Sequence, residues 1–210
     1  MRWLWMRGKK MDFSKAKKNL ERNGFEVHVF KTGREAKAYL NGELDGTSIG
    51  FGGSKTLDQL GLFESLSEHN DVYWHWRQDP DYAREKSMTT EVYMCSANGL
   101  AETGEIVFVD GNGNRAASIL WGHKRLILVV GSNKLAPDYT MAVARCRNVA
   151  CTMRNADFPG RPACVAAGTV GTRCFDCRSK DRECKAMVTL WQPMNNTTCE
   201  VILIDEEYGY

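Results

Sequence analysis

A glycine-rich segment is the first place where residue types and spacing suggest binding chemistry. Ile49-Gly50-Phe51-Gly52-Gly53-Ser54-Lys55-Thr56 has the pattern of a short strand that turns through glycines into a helix. Glycines let the backbone approach a ligand closely, and N–H groups at a helix start attract phosphate or carboxylate. We therefore predict an anion site at Gly52, Gly53, Ser54 and Thr56. A plain strand-to-helix turn is the alternative, because the segment is neither a Walker A motif nor a complete G-x-G-x-x-G.

A second polar loop, Asp110-Gly111-Asn112-Gly113-Asn114-Arg115, directly follows the apolar run at 106–109. Asp110, Asn112 and Asn114 alternate as in a calcium loop, but Arg115 stands where that loop needs Gly and Trp121 where it needs Glu. Loops at the carboxyl ends of buried strands are where open α/β sheets bind ligands. Because a guanidinium fork matches the two oxygens of a carboxylate, we predict that Arg115 binds one here. The alternative is a Gly-Asn turn with a surface arginine.

Four of the eight cysteines have the spacing C-x9-C-x2-C-x6-C: Cys164, Cys174, Cys177 and Cys184. Thiolates arranged in this way can share one soft metal centre. The spacing matches neither a usual zinc ribbon nor a ferredoxin, so an iron–sulfur cluster, a zinc ion, a redox disulfide and free thiols all stay open. Cys95 and Cys146 lie in apolar strand and helix patterns and are predicted to be core thiols. Cys151 and Cys199 are predicted to be packing thiols at the flanks, with a role as spare ligands as the alternative.

The histidines give no clear acid–base candidate. His75 alternates with apolar neighbours and is predicted to be a strand residue, and His123 lies near the proposed cleft without an acidic partner. A Ser, His and Asp arrangement and an H-E-x-x-H motif are both absent from the sequence, which argues against the commonest hydrolases.

These motifs need a framework, and the pattern along the chain predicts a mostly parallel sheet flanked by helices. Helical segments alternate with short β-branched and aromatic runs, as in βαβ units. Strands are expected at 25–30, 47–51, 72–76, 91–96, 106–109, 126–130 and 201–204, and helices at 14–22, 34–40, 56–60, 80–88 and 137–149. Residues 151–198 lose regular periodicity and are predicted to be a cysteine-bearing excursion.

Composition limits the class of protein. A chain of 210 residues with 43% hydrophobic content suits one domain, expected at 11–210, with 1–10 as an N-terminal extension. The net charge of +2 gives no electrostatic reason to bind nucleic acid or a membrane surface. No stretch approaches the ~18 apolar residues of a membrane span, and the apolar start is too short for an export signal. We expect a cytoplasmic protein.

Several motifs in series resemble the lactate-utilisation (LUD) domain family. They are Gly50-Phe51-Gly52-Gly53-Ser54 with Thr56-Leu57, Ser96-Ala97-Asn98, Thr103-Gly104-Glu105, Asp110 to Arg115, Gly131-Ser132-Asn133-Lys134, and the cysteine stretch around Cys-Phe-Asp-Cys. The resemblance covers roughly 11–210. Two positions depart from it: Phe51 stands where many relatives have Ile or Val, and Ala163 where many have Pro beside the first tail cysteine.

The resemblance implies a fold like that of the ribose-5-phosphate isomerase, glucosamine-6-phosphate deaminase and CoA-transferase group, in which a glycine-rich loop cradles phosphate or carboxylate. It also implies a link to the oxidation of lactate to pyruvate beside iron–sulfur partner proteins. Asn98 and Lys134 join the predicted ligand site through it. It transfers no catalytic residues, although Asp110 or Glu102 could serve as a base, and a shared fold does not establish a shared reaction.

Three hypotheses follow. The leading one is a LUD-type protein that binds a small anionic metabolite between the two loops, with the cysteines holding a metal centre or docking a redox partner. The second is an isomerase-like or CoA-transferase-like enzyme, which predicts an acid–base pair with perturbed pKa values beside the anion loop. The third is a non-catalytic assembly subunit with structural zinc.

Overall fold

The computed structural model describes residues 13–210, and the predicted extension at 1–10 lies outside them. The described residues form the strands β1 Glu26–Phe30, β2 Ser48–Phe51, β3 Asp71–Tyr73, β4 Val92–Cys95, β5 Gly99–Ala101, β6 Ile106–Asp110, β7 Arg125–Gly131, β8 Leu135–Ala136, β9 Ala186–Leu190 and β10 Thr198–Ile204. The helices are α1 Phe13–Arg22, α2 Gly33–Glu43, α3 Lys55–Gln59, α4 Leu62–Leu66, α5 Pro80–Ser87, α6 Asn114–Leu120, α7 Tyr139–Arg145, α8 Cys151–Ala156 and α9 Ala163–Ala166.

A six-stranded sheet in the order β1-β10-β7-β4-β2-β3 forms the centre of the fold, and each pair of neighbouring strands is parallel. Alternate residues of β7 pack against helices on opposite faces of this sheet. Leu126 and Leu128 pack in one apolar cluster with α1, whereas Ile127 and Val129 pack in another with α2, α3 and α4. This confirms the predicted α/β class, because a continuous apolar run is typical of a strand between two layers of helices.

A second, four-stranded sheet has the order β8-β5-β6-β9. In it β6 pairs antiparallel with both β5 and β9. The sequence predicted the run at 106–109 only as a covered strand of a mostly parallel sheet. The apolar pattern reports burial and does not report which strand is the neighbour, so this assignment could not come from periodicity.

Some predicted boundaries are wrong for local reasons. Helix α2 continues through Asn41-Gly42 to Glu43, and the Leu44 N–H still donates to the Leu40 carbonyl at 3.1 Å. Strand β3 stops at Tyr73 and not at Trp76, because the Trp74 N–H donates to the side-chain oxygen of Gln78 at 2.8 Å. In β3 a side-chain amide therefore takes the place of a strand partner.

The predicted excursion at 151–198 is irregular only in part. One helical stretch runs from α7 through a five-residue π-helical segment, Cys146–Ala150, into α8. It begins at the Asp138 cap, whose carboxylate accepts the Met141 N–H at 2.8 Å, and it passes the predicted end at Val149. Strand β9 also lies within the excursion and pairs with β6. None of the helices in the described part of the chain has the length and apolarity needed to span a bilayer.

Candidate functional site

A cleft opens at the carboxyl ends of β2, β3, β4 and β7, against the loop that follows β6. Its lining includes Gly53 after β2, His75 after β3, Asn98 after β4 and Lys134 after β7. The cavity volume is about 110 Å³, which is the space of several water molecules. The cleft thus lies where parallel sheets place ligands, and its size suits a small metabolite.

Eight of the ten residues predicted for the ligand site line this cleft: Gly53, Ser54, Asn98, Asp110, Asn112, Asn114, Arg115 and Lys134. The other two lie directly behind it. A Cβ on Gly52 would stand 2.9 Å from the Tyr93 hydroxyl and 3.0 Å from Cys95 Cβ, so this glycine permits close packing and not ligand approach. Thr56 is buried and holds a lining side chain.

Lys134 is the most unusual group in the cleft. Its side chain is buried, and its ammonium donates to two hydroxyl oxygens, Thr56 Oγ1 at 2.8 Å and Ser96 Oγ at 2.7 Å. Burial, followed by the nearby positive charges of Arg145 and Arg115, holds the pKa of Lys134 well below its ordinary value. Within the described residues, the partners of this buried amine are therefore neutral.

Arg115 reaches back from α6 across the end of β4. Its guanidinium donates to the Ser96 carbonyl at 3.1 Å, to Asn98 Oδ1 at 2.7 Å and to the Val109 carbonyl. All three acceptors are neutral, and the Asp110 carboxylate is a charged neighbour of this guanidinium. A second buried cation lies nearby, because Arg145 donates to the carbonyls of Asn133 and Asn98.

Asp110 holds the loop before α6 and the first turn of that helix. Its Oδ2 accepts the Ala116 N–H at 2.7 Å and its Oδ1 accepts the Asn112 N–H at 3.2 Å. Burial acts to raise the pKa of this carboxyl, but the backbone donors and Arg115 outweigh it and the pKa is lowered. Glu102, the other base considered, does not line the cleft and pairs with Lys15 at 3.0 Å. Neither carboxylate is placed as a free general base.

Several other residues of the lining are not among the predicted ligand-site residues, for example His75, Ser96, Arg154 and Tyr210. The alternation around His75 predicts a strand residue, whereas β3 ends before it and the side chain lines the cleft. Burial, with help from Arg84 and Arg154, lowers the pKa of His75 to about 4, so its ring is neutral near pH 7. Ser96 belongs to the Ser96-Ala97-Asn98 motif, in which only Asn98 is predicted to bind a ligand. Arg154 and Tyr210 are distant along the chain and carried no signal.

The predicted metal ligands lie around a second, smaller cavity, which we name the cysteine pocket. It is lined by Cys164, Cys174, Cys177, Cys184 and also by Cys151, with Arg147 and Arg182 among its other neighbours. All eight cysteines, which fall within the described residues, are free thiols. In the same part of the chain, no group of three or more His, Cys, Asp or Glu side chains is arranged to hold a single metal ion.

Three residues belong to both cavities: Cys151, Asn155 and Cys184. Cys151 was predicted to be a packing thiol or a spare ligand, and the structure places it in this shared wall. The predicted core thiols Cys95 and Cys146 are buried as expected. His123 is buried too, with Nδ1 2.7 Å from the Thr90 carbonyl oxygen, and does not line the cleft.

Comparison with known proteins agrees with this architecture. The LUD domain family model matches residues 13–204. A solved structure of a DUF162 family protein from Deinococcus radiodurans is similar with a TM-score of 0.54 and 12% sequence identity, over 90% of this chain and 94% of that one. At that identity the likeness shows the fold alone. No curated protein matches the sequence. The resemblance predicted from the motifs is confirmed.

Proposed function

The chain belongs to the LUD domain family, and we propose that it binds a small carboxylate or phosphate metabolite in the cleft between Gly53 and the Asp110–Arg115 loop. Lactate and its oxidation product pyruvate are the first candidates, because the family resemblance implies lactate utilisation. On the same basis, iron–sulfur proteins of lactate oxidation are its proposed partners.

The buried amine of Lys134 is the observation that carries this proposal. A buried ammonium that has no anionic partner costs several kcal/mol of folding free energy. Lys134 hydrogen-bonds to two hydroxyls, and the positive charges of Arg115 and Arg145 lie nearby. A bound anion would offset the cost of holding these cations together. Such a site gains most from a ligand with one compact negative group.

The remainder of the cleft suits a short organic acid. Trp76 and Phe158 supply apolar surface to the lining, with the Arg154 guanidinium over both rings, and His75 supplies a neutral ring nitrogen. A Cβ on Gly53 would stand 3.4 Å from His75 Nε2, so this nitrogen faces the glycine loop. The unprotonated nitrogen of a neutral imidazole can accept a hydrogen bond from a hydroxyl. This combination favours a 2-hydroxy acid over an anion without a hydroxyl.

The isomerase-like and transferase-like hypothesis finds less support in the cleft. It requires a carboxylate that is free to exchange protons with a ligand. Asp110 instead uses both oxygens to accept backbone N–H groups. The arrangement therefore favours binding of a hydroxy acid or oxo acid over proton transfer between carbon atoms of a sugar phosphate.

Calorimetric titration of the purified chain with lactate, pyruvate, inorganic phosphate and ribose 5-phosphate tests the proposal. We expect lactate or pyruvate to bind, and Lys134→Met to weaken binding by about 30-fold or more, since loss of one member of a buried charge pair costs roughly 2–5 kcal/mol. Lys124→Met is the matched control because the Lys124 side chain is 80% exposed.

Two results would contradict the proposal. One is the failure of every anion to bind while circular dichroism shows folded protein. The other is unchanged binding by Lys134→Met. Binding of ribose 5-phosphate without binding of lactate or pyruvate would move the ligand to the sugar phosphates and favour the second hypothesis.

A further inference from the structure

The cysteine pocket is built from a segment with little regular structure of its own. Between α9 and β9 the chain forms no helix or strand over 167–185, although this stretch is fully described. Three of the pocket cysteines lie in it, Cys174, Cys177 and Cys184, and each is only half-buried. A loop of this length without an apolar core pays conformational entropy for its order. Something other than hydrophobic burial must keep its thiols directed to one cavity.

Side chains from one helix face hold the segment in place. Asn148 accepts the Cys174 N–H at 2.8 Å, Thr152 accepts the Gly171 N–H at 2.7 Å, and Asn155 accepts the Glu183 N–H at 2.9 Å. Positions 148, 152 and 155 share one face of a helix at spacings of four and three residues. Each of these bonds fixes the backbone at or near a pocket cysteine. Outer groups that orient ligands in this way are typical of metal centres.

The sulfur atoms receive hydrogen bonds as well. The Asp176 N–H donates to Cys174 Sγ at 3.3 Å, and the Asn155 amide donates to Cys184 Sγ at 3.7 Å. Asp176 has a left-handed backbone with φ +50, which is the one positive φ of a non-glycine residue in the described chain, and Asp is a residue type that tolerates this region. Hydrogen bonds to cysteine sulfur stabilise metal-bound thiolates. The Cys-Phe-Asp-Cys turn thus directs a backbone donor to its first sulfur.

Positive charge surrounds the pocket. Arg182 donates to the Cys184 carbonyl at 2.8 Å and to the Cys177 carbonyl, and Arg147 pairs with Asp176 at 2.8 Å. Both guanidinium groups line the cavity with the thiols. A centre ligated by four thiolates carries net negative charge, so two adjacent arginines would stabilise it.

The four predicted ligands line one cavity, and among the described residues no three His, Cys, Asp or Glu side chains are grouped closely enough to hold one ion. A zinc ion needs its ligands about 2.3 Å from one point. In a cubane iron–sulfur cluster each thiolate binds a different iron, so four thiols around one cavity can ligate it without meeting at a point. We propose that the pocket holds an iron–sulfur cluster ligated by Cys164, Cys174, Cys177 and Cys184, next to the metabolite cleft.

This assignment goes beyond the proposed anion binding and does not depend on it. Cys184 belongs to the wall between the two cavities, so the cluster would lie directly behind a ligand in the cleft. Cys151 makes a side-chain hydrogen bond to Cys184, and we assign it this role and not that of a fifth iron ligand. The Cys151→Ser variant would preserve the donor.

The test is elemental and spectroscopic analysis of the full chain purified without oxygen and reconstituted with ferrous iron and sulfide. We expect iron and acid-labile sulfide in nearly equal amounts, a broad visible charge-transfer band, and a cluster mass in native mass spectrometry. Cys174→Ser with Cys177→Ser should lose most of the iron. Cys199→Ser, a buried thiol outside the pocket, and Cys151→Ser should retain it.

Three outcomes would overturn the assignment: stoichiometric zinc, absence of bound metal after reconstitution, or iron retained in the double variant. A Cys151–Cys184 disulfide found in the protein as isolated without oxygen would also overturn it, in favour of a redox pair. If circular dichroism shows that the double variant is unfolded, Cys177→Ala alone and wild-type protein alkylated before reconstitution answer the same question.

Discussion

The cleft at the strand ends and the cysteine pocket share a wall but are built in different ways. The cleft is lined by residues that follow directly after strands, such as Gly53, Asn98 and Lys134, and its cations are held by neutral acceptors within the fold. The pocket is lined by a loop that one helix holds through three side-chain acceptors. The sheet fixes the positions of the residues that line the cleft, whereas a few hydrogen bonds fix the loop that lines the pocket.

This difference predicts different responses to change. Residues at the ends of buried strands share the stability of the whole sheet, whereas a loop with few apolar contacts can open locally. The cleft should therefore be organised before its ligand arrives. The loop that lines the pocket should become more ordered when the proposed cluster binds, because metal binding and local folding are linked.

Changing one glycine to alanine in each region should give the largest difference in the free energy of unfolding. In Gly52→Ala the new Cβ would stand 2.9 Å from Tyr93 Oη and 3.0 Å from Cys95 Cβ, both in packed surroundings. We expect a loss of about 2–3 kcal/mol in the free energy of unfolding, because overpacking a core forces neighbours out of place. Urea denaturation followed by circular dichroism measures this loss.

Gly160→Ala is the matched control in the cysteine-bearing segment. Its Cβ would stand 2.6 Å from Asp181 Cβ, a tighter clash than at Gly52, yet the loop can move away. We expect a loss below about 1 kcal/mol. If both alanines cost the same, the two regions do not differ in rigidity.

A somewhat smaller effect is expected from removing one acceptor that holds the loop. Asn148→Ala deletes the bond to the Cys174 N–H, which is worth about 1–1.5 kcal/mol. Trypsin should then cleave the segment about tenfold faster, at bonds after Arg173 and Arg178, while the unfolding free energy of the sheet changes little. Mass spectrometry of the fragments over time measures the rate.

Asn41→Ala serves as the control for this experiment. Its side chain makes a comparable bond, to the Lys37 carbonyl at 2.8 Å, but it lies far from the cysteines in sequence and on another helix. Equal protease sensitivity of both variants would show that the loop is not held by Asn148. Protection of the wild type after cluster reconstitution would sharpen the contrast with the cleft.

The parts of the fold that the sequence predicted are those with strong periodicity. The run at Leu126 to Val130 became the central strand β7, and Thr32 became the cap of α2, with its hydroxyl accepting the Glu35 N–H at 3.2 Å. The sequence did not predict strand β9 or its antiparallel pairing with β6. Pairing between strands that are 80 residues apart depends on tertiary packing, which leaves no local pattern.

The residues of the two cavities also divide into those that a local sequence pattern predicts and those that it does not. Gly53, Asp110 and Arg115 were predicted because glycines and polar residues after strands have a local signature. His75 and Cys151 were not, since their role depends on where a strand stops and on which face of a helix meets a distant loop. Sequence therefore identified the cleft through its strand ends and the pocket only through its cysteine spacing.

The buried amine of Lys134 gives the cleft a pH dependence. Because the pKa of Lys134 lies below its ordinary value of 10.5 in the folded chain, an anion that binds the ammonium form should cause proton uptake. Affinity should fall by up to tenfold per pH unit above that lowered pKa. Calorimetry in buffers of different ionisation enthalpy measures the proton uptake.

Lys134→Arg provides the comparison, since a guanidinium stays charged and its binding should be nearly independent of pH. Stability supplies a second readout. Between the lowered pKa and 10.5 the unfolded chain binds the extra proton, so wild-type stability should rise with pH relative to Lys134→Met. Anion affinity that is flat with pH in the wild type would show that Lys134 is already fully charged without ligand.

The smallest expected effect concerns His75 and acid stability. The pKa of its ring is lowered to about 4 in the folded chain by burial and by Arg84 and Arg154, with Asp110 opposing them. Between pH 6.5 and about 4 the unfolded chain binds a proton that the folded chain does not, so stability falls as the pH falls. His75→Gln should remove this contribution, worth about 1 kcal/mol at pH 4.5 after a reduction for solvent screening.

Urea denaturation of both proteins at pH 7 and pH 4.5 measures the difference, and His69→Gln, in a loop outside the cleft, should leave it unchanged. A wild type and a His75→Gln variant that lose equal stability on acidification would mean that the His75 ring is solvated, and the cleft would then be more open than its buried lysine indicates.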